Sequence, residues 1–236
     1  MEIGGEQGIH LYLFRGLIFL VPDGVQPPKQ GSTLLARTVA FRPDDTVLEL
    51  GTGMGLAALM AARTAGRVIA TDISPECTSS TLKNAVLNGL SDKIEVRTGD
   101  LYDPVIGLTF DKILANPPQM PVPPSRERGD PQALPDNGGT DGWAILDRII
   151  TAAPEYLKPA GCLVFTLFDF LGQEKAFAKL GRAGLNPRLL ARELQWFPRL
   201  GYERLDHLRA IDEEGTIPQG NQPLHCWRLV IAGAKG

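Results

Sequence analysis

The chain has 236 residues, of which 43% are hydrophobic and 22% charged, an ordinary globular balance that suits one α/β domain with a short appendage. A formal net charge of -3 supplies no electrostatic drive toward nucleic acid or an anionic membrane. The 3 cysteines, Cys77, Cys162 and Cys226, are odd in number and far apart, which excludes metal-type pairing and fits reduced thiols in a cytoplasm.

The first apolar run, Leu11–Val21, is too short to span a bilayer and is broken by Arg15. It is no signal peptide either, because Met1–His10 carries Glu2 and Glu6 and neither Lys nor Arg. It reads as two short strands around Arg15-Gly16. Asp23–Gly31 is a Pro-rich loop, and Ser32–Ala40 is expected to be helical with Ser32 as N-cap. Residues 1–42 are thus an N-terminal extension, and residues 43–236 hold the main domain.

From the turn at Pro43-Asp44-Asp45 an alternation begins. Thr46–Leu50 is a strand, followed by a glycine loop and the helix Leu56–Thr64. Arg67–Thr71 is a strand ending at Asp72, and Ser74-Pro75 opens a helix by N-cap and N1 proline. Lys93–Thr98 and Asp111–Ala115 are further strands, the latter running into Asn116-Pro117-Pro118. Met120–Asp141 is a long Pro- and Gly-rich connection without apolar period. Trp143–Leu157 is an amphipathic helix, Gly161–Phe168 a buried strand and Lys175–Ala183 a helix. Pro187–Phe197 and Leu224–Ala232 are two last strands with a polar stretch between them. This order implies a Rossmann-like, doubly wound, seven-stranded and mostly parallel sheet. Ligands of such sheets bind beyond the carboxyl ends of the strands, where strand order reverses.

The informative residues fall at those ends. Gly51, Gly53 and Gly55 permit a tight turn and close ligand approach, with Thr52 between them. Their spacing departs from the dinucleotide pattern, and Glu49 just ahead disfavours a pyrophosphate while favouring a cationic ligand. S-adenosylmethionine carries both an ammonium and a sulfonium. Asp72, about 20 residues past the first glycine, has the usual offset for a carboxylate on ribose hydroxyls. Asp100, after the third strand, can accept from an adenine amine, and Ile73 and Leu101 adjoin these two carboxylates. Asn116 on a stiff Pro117-Pro118 corner presents an amide oxygen beside a main-chain carbonyl. Two such acceptors grip both hydrogens of an NH₂ group and orient its lone pair. Each motif also has a bland alternative: a plain turn at the glycines and at Asp100, a solvated Asp72, a merely rigid Pro-Pro loop.

Together, Glu49–Gly55 and Asn116-Pro117-Pro118 resemble the class I methyltransferases that modify nitrogen. Phe110–Pro118 and Asn137-Gly138-Gly139-Thr140-Asp141-Gly142 with Leu146–Ile150 are similar to the N5-glutamine methyltransferases that act on release factors. The resemblance covers about Pro43 to Phe168. It implies S-adenosylmethionine on Glu49, Gly51, Thr52, Gly53, Gly55, Asp72, Ile73, Asp100 and Leu101, with Asn116 bordering it. It implies an acceptor nitrogen at Asn116 and Pro117, which with the adjoining Pro118 and Gln119 are the candidate catalytic residues, and no metal is expected. Where the family has an aromatic after Pro-Pro, this chain has Gln119, which hydrogen-bonds but cannot stack. The family's helical N-terminal domain is not matched by Met1–Ala40. The leading acceptor is protein glutamine. The alternatives are a small metabolite, favoured by these two departures, and a non-catalytic cofactor-binding module, disfavoured by the intact motifs. A nucleic-acid base is disfavoured by the acidic balance, and a dinucleotide oxidoreductase by Glu49. His10, His207 and His225 lie away from the motifs. Trp196 and Phe197 could line the acceptor pocket but read better as core. Arg126-Glu127-Arg128 are loop charges that could form a lid, and Lys29-Gln30 could approach the cofactor.

Overall fold

The computed structural model describes residues 2–6, 8–124, 136–220 and 224–236, so Arg126, Glu127 and Arg128 lie outside the described residues. The extension folds as β1 (Glu2–Glu6), β2 (Ile9–Phe14) and β3 (Leu17–Pro22), a three-stranded antiparallel sheet, followed by helix α1 (Gln30–Thr38). The helix begins two residues earlier than the sequence suggested. Lys29 is the N-cap, and Ser32 stands inside the first turn, its hydroxyl accepting from the Lys29 N–H at 3.1 Å.

The main sheet contains β4 (Thr46–Leu50), β5 (Arg67–Asp72), β6 (Ile94–Thr98), β7 (Phe110–Ala115), β8 (Leu157–Phe168), β9 (Leu185–Trp196) and β10 (His225–Lys235). Their order is β6-β5-β4-β7-β8-β10-β9, with β10 alone antiparallel to its neighbours. The connecting helices are α2 (Leu56–Ala62), α3 (Pro75–Leu87), α4 (Ala144–Tyr156) and α5 (Gln173–Arg182). The seven-stranded, mostly parallel, doubly wound architecture is the one the alternation implied.

Strand periodicity sorts the side chains into two cores. Leu48, Leu50, Ile69, Ile113, Phe165 and Ile231 face α4 and α5. Val47, Val68, Ala70, Leu114, Val164 and Val230 face α1 and α2. Helix α2 is built from small residues, and Ala57, Ala58, Ala61 and Ala62 are all buried, so its backbone lies close against the sheet. Phe19 and Val21 of β3 join that second core, which is how the extension is held.

Polar contacts complete the attachment. Asn84 on α3 is fully buried, accepts from the Leu20 N–H at 2.8 Å and donates to the carbonyls of Leu20 and Met54. Asn88, one turn on, repeats the pairing with the N–H and carbonyl of Ile18. Two asparagines four apart on a helix thus serve the free edge of β3 as a missing strand would.

The stretch after β9 is not merely polar loop. It holds two short helices, α6 (Arg199–Glu203) and α7 (Leu205–Ile211), each too short to show an apolar period. Among the described residues no helix is long and apolar enough to cross a membrane.

Replacing Asn84 by Ala leaves the Leu20 N–H and two carbonyls without partners, so denaturant unfolding should show a loss of about 2–4 kcal/mol. Asn88→Ala, at a more exposed site, should cost about 1 kcal/mol.

Candidate active site

The crevice lies where β4 and β7 part company. From β4 the chain turns at Gly51, Gly53 and Gly55, all with positive φ, at 71°, 57° and 90°. The three glycines answer different needs. A Cβ at Gly55 would sit 2.9 Å from Leu59 Cδ1 and from Thr81 Cγ2, so that residue is small for packing. A Cβ at Gly51 or Gly53 would meet nothing within 4 Å, so these two leave main chain open to an incoming ligand. The N–H groups of Gly51 and Thr52 both donate to the Thr71 carbonyl at 2.9 Å, tying the loop to β5.

Glu49 is buried beneath this loop. One carboxylate oxygen accepts from the Thr52 hydroxyl at 2.7 Å and from the Ala58 N–H at 2.8 Å. It occupies the helix N-terminus where a phosphate would sit in a dinucleotide fold. Burial pushes its carboxyl up to about 7, against the hydrogen bonds from Thr52, Ala58 and Ala57, with the charge of Asp72 pushing the same way as burial. Glu49 therefore shapes the loop from below, while the open glycines face outward.

Asp72 closes the other side. Its Oδ2 accepts from the Gly53 N–H at 2.9 Å and its Oδ1 from the Ser74 N–H at 3.0 Å. Each oxygen keeps a lone pair for a ligand hydroxyl. Ile73, next in the chain, is 71% exposed, an apolar surface at the rim of the crevice. Asp100 is engaged in the plane of the Arg148 guanidinium, with contacts of 2.5 and 3.3 Å, so an adenine amine would have to share it. Leu101 has φ 46°, and its carbonyl accepts from the buried Thr71 hydroxyl at 3.2 Å. An open glycine main chain, a ribose-type carboxylate, an exposed isoleucine and a buried anion fit a cationic adenosyl ligand and leave no cradle for a pyrophosphate.

Just past the end of β7, Asn116 points to the α1 face of the sheet. Its Oδ1 accepts from the Thr166 hydroxyl on neighbouring β8 at 2.5 Å. That bond holds the amide oxygen toward β8. The Pro117 carbonyl lies beside it and receives a long 3.3 Å contact from Gln119 Nε2. Gln119 itself turns away from the crevice. It is buried, its Nε2 donates to the Thr166 carbonyl at 3.2 Å, and its Oε1 accepts from the Phe168 N–H at 2.9 Å. The expectation that Gln119 would hydrogen-bond an acceptor is therefore corrected, because its amide is spent on β8.

The Asn137–Gly142 segment backs this corner. A Cβ at Gly138 would fall 2.6 Å from Gln119 Cα, and one at Gly142 would fall 2.8 Å from the Gln119 carbonyl oxygen. The N–H of Gly138 donates to the Met120 carbonyl at 3.0 Å. These glycines allow two backbones to touch.

Lys29 pairs with Asp136 at 2.8 Å near the start of α1. Gly31 abuts Asn116 directly: a Cβ there would lie 2.9 Å from its Oδ1. A cavity of about 220 Å³, lined by Tyr12, Phe14, Phe19, Pro28 and Met54, opens beside the glycine loop. Trp196 is 66% exposed and lies tilted against the ring of His225, whereas Phe197 is core, packed on Phe170. His207 contacts the Thr140 carbonyl, and His10 pairs with Asp23. Sequence reasoning missed Thr166, Gly31 and Arg228, which meet Asn116 only across strands. No local sign marked them, since Gly31 reads in the sequence as the end of the Pro-rich loop.

Comparison with known proteins agrees with this geometry. Residues 26–121 match the methyltransferase small domain. The chain is 32% identical over 169 residues to a putative protein N5-glutamine methyltransferase of Methanocaldococcus jannaschii, covering 71% of this chain and 84% of that one. It is 33% identical over 181 residues to a release factor glutamine methyltransferase of Moorella thermoacetica, covering 72% of this chain but only 63% of the relative. Among solved structures, the E. cuniculi Mtq2-Trm112 complex, which methylates the termination factor eRF1, superposes with a TM-score of 0.60 at 18% identity, over 90% of this chain and 99% of that one.

The raised Glu49 carboxyl has a consequence for stability. Its folded value lies above the ordinary 4.5, so its contribution is fully present below pH 4.5 and is lost as pH rises through 7. Unfolding free energy of Glu49→Gln should lack this decline, which in the wild type amounts to about 3 kcal/mol at most. Denaturation curves collected across that interval for both proteins check it, and an identical slope in the two would count against the assignment.

Proposed function

Because the chain belongs to the protein N5-glutamine methyltransferase family of class I, S-adenosylmethionine-dependent enzymes, we propose that it methylates the side-chain amide nitrogen of a glutamine in a protein. The observation that carries this reading is Asn116, held with its oxygen toward Thr166 and next to the Pro117 carbonyl, at the mouth of a crevice shaped for an adenosyl cation.

S-adenosylmethionine supplies an electrophilic methyl group on a sulfonium. The chain supplies orientation and charge. Gly51, Thr52 and Gly53 offer main chain to the ligand, Asp72 accepts from ribose hydroxyls, and Ile73 with Leu101 gives apolar cover. Asp100 serves the adenine side in company with Arg148. Glu49 holds the loop and adds negative charge beneath a cation.

At the acceptor, an amide nitrogen is a poor nucleophile because its lone pair is delocalised into the carbonyl. Asn116 Oδ1 and the Pro117 carbonyl each accept one N–H, which fixes the nitrogen in place. The same two oxygens become better partners as positive charge builds on nitrogen. The proton is then lost from a nitrogen made acidic by that charge, and no strong base is needed. Pro118 keeps the corner stiff, Thr166 positions Asn116 from β8, and Gln119 ties the corner to that strand. Residues 1–42 are proposed as an extension that forms one wall of the acceptor site through Gly31, with residues 43–236 as the transfer domain.

Calorimetry with S-adenosylhomocysteine should show Asp72→Ala binding about 10- to 100-fold more weakly than wild type. Asn116→Ala should keep its affinity within a few-fold and lose methyl transfer to glutamine-containing peptides by about 100-fold. Label from the cofactor appearing only in small amides or amines, and never in peptide or protein, would overturn the glutamine reading in favour of a metabolite acceptor. Cofactor binding with no transfer to any of these would indicate a non-catalytic module.

A further inference from the structure

Asn116 explains how the nitrogen end of an acceptor is held, and leaves open what recognises the rest of the group. Beside it lies a side chain that no motif announces. Arg228, on β10, is buried. Its Nε and Nη1 are shut off from solvent and have no hydrogen-bond partner among the described residues. The guanidinium lies over the ring of Phe168, 3.5 Å from its centroid.

Among the described residues no carboxylate answers this charge at close range. Asp136, the nearest in electrostatic influence after the Cys226 thiol, is bonded to Lys29. Asp169 caps the Phe170 N–H, and burial pushes its carboxyl up to about 6. Glu193, in register with Arg228 across the strand pair, pairs with Arg37. Burial draws the guanidinium down to about 10, which still leaves it charged at neutral pH. A buried cation with two idle donors is strongly unfavourable in a fold at rest, and such a feature is found where a ligand completes it.

Its position says which ligand. A Cβ built on Gly31 would lie 2.9 Å from Asn116 Oδ1 and 3.1 Å from both Nε and Cζ of Arg228. The two groups therefore converge on one point and are no more than about 6 Å apart. Asn116 just past the end of β7, Thr166 on β8 and Arg228 on β10 lie on the same face of the sheet. The Asn116 acceptor oxygen and the Arg228 N–H donors stand on either side of the bare Gly31 main chain. A carboxamide is a group with N–H donors at one end and an oxygen acceptor at the other, separated by a single carbon.

We propose that Arg228 is the specificity-determining partner of Asn116: its buried N–H donors receive the carbonyl oxygen of the acceptor amide whose NH₂ group Asn116 and Pro117 hold. The site then selects a carboxamide over an amine. An amine offers no oxygen to the guanidinium, and a protonated amine is repelled by it. This rests on the reading of Asn116 as the acceptor site.

The test compares full-length wild type, Arg228→Met and Arg228→Lys on a glutamine peptide and on the same peptide with ornithine at that position. Ornithine keeps the chain length and the nitrogen and lacks the oxygen. Assays at about pH 9.5 leave part of the ornithine neutral. Wild type should prefer glutamine by about 1000-fold in kcat/KM. Arg228→Met should lose about 100-fold on glutamine and most of the preference. Arg228→Lys should recover part of both. S-adenosylhomocysteine affinity should be unchanged in both variants, and the melting temperature of Arg228→Met should be equal to or above that of wild type, since an unpaired charge has been removed.

Undiminished kcat/KM on glutamine in Arg228→Met would overturn the proposal. So would a loss matched entirely by weaker S-adenosylhomocysteine binding, because the guanidinium would then hold the cofactor's carboxylate. If Arg228→Met fails to fold, the peptide comparison in wild type and Arg228→Lys still decides, since equal use of ornithine and glutamine refutes oxygen recognition. Asn116→Ala separates the two readings. Loss of turnover there, with Arg228 variants fully active, removes this inference and leaves the site. Normal turnover in Asn116→Ala removes both.

Discussion

A single buried carboxylate organises the cofactor half of this protein. Glu49 ends the first strand of the main sheet, and its oxygen takes the Thr52 hydroxyl from the loop and the Ala58 N–H from the helix that follows. One group thereby fixes the angle between strand, loop and helix. Because the Glu49 oxygen already takes the Ala58 N–H at the helix N-terminus, an external anion finds no vacancy there, and a bound cation would draw the carboxyl toward its charged form. The open main chain at Gly51 and Gly53 lies directly above. Shape and charge preference at the ligand face both trace back to that interaction.

The acceptor half rests on a different device, which is rigidity borrowed from the next strand. Thr166 orients the Asn116 amide, and Gln119 clips the Pro-Pro corner to the Thr166 carbonyl and the Phe168 N–H. The glycines at 138 and 142 let a second segment press on the back of the corner at contact distance. Orientation is worth most to a weak nucleophile such as an amide nitrogen, and the investment here is concentrated at that nitrogen's end. The unpaired Arg228 stands opposite, where stability is given up locally for recognition.

Much of the fold was legible in the chain. The strands at 46–50 and 67–72 and the helix opened by Ser74-Pro75 follow from apolar runs, turn residues and capping. The cofactor motifs were legible because they are contiguous: three glycines, a preceding Glu and a following Asp at fixed offset. Gln119 was misread as substrate-facing. Its neighbour in sequence is the acceptor corner, but its nearest partners in space are 47 and 49 residues away on β8. The short helices after β9 escaped because a turn or two carries no measurable period.

Sequence alone therefore determined the doubly wound architecture and the cofactor class, and it pointed to a candidate acceptor corner. Each of these is encoded locally, in periodicity, in φ-permissive glycines or in a motif of adjacent residues. Only the tertiary structure decided how Asn116 is oriented, that Gln119 is structural, and that Gly31, Thr166 and Arg228 share its surroundings. Those residues come from a helix and two strands spread over the chain from its first fifth to its end. Nothing in their local sequence records the strand order that brings them together, since that order is settled by packing of the whole sheet.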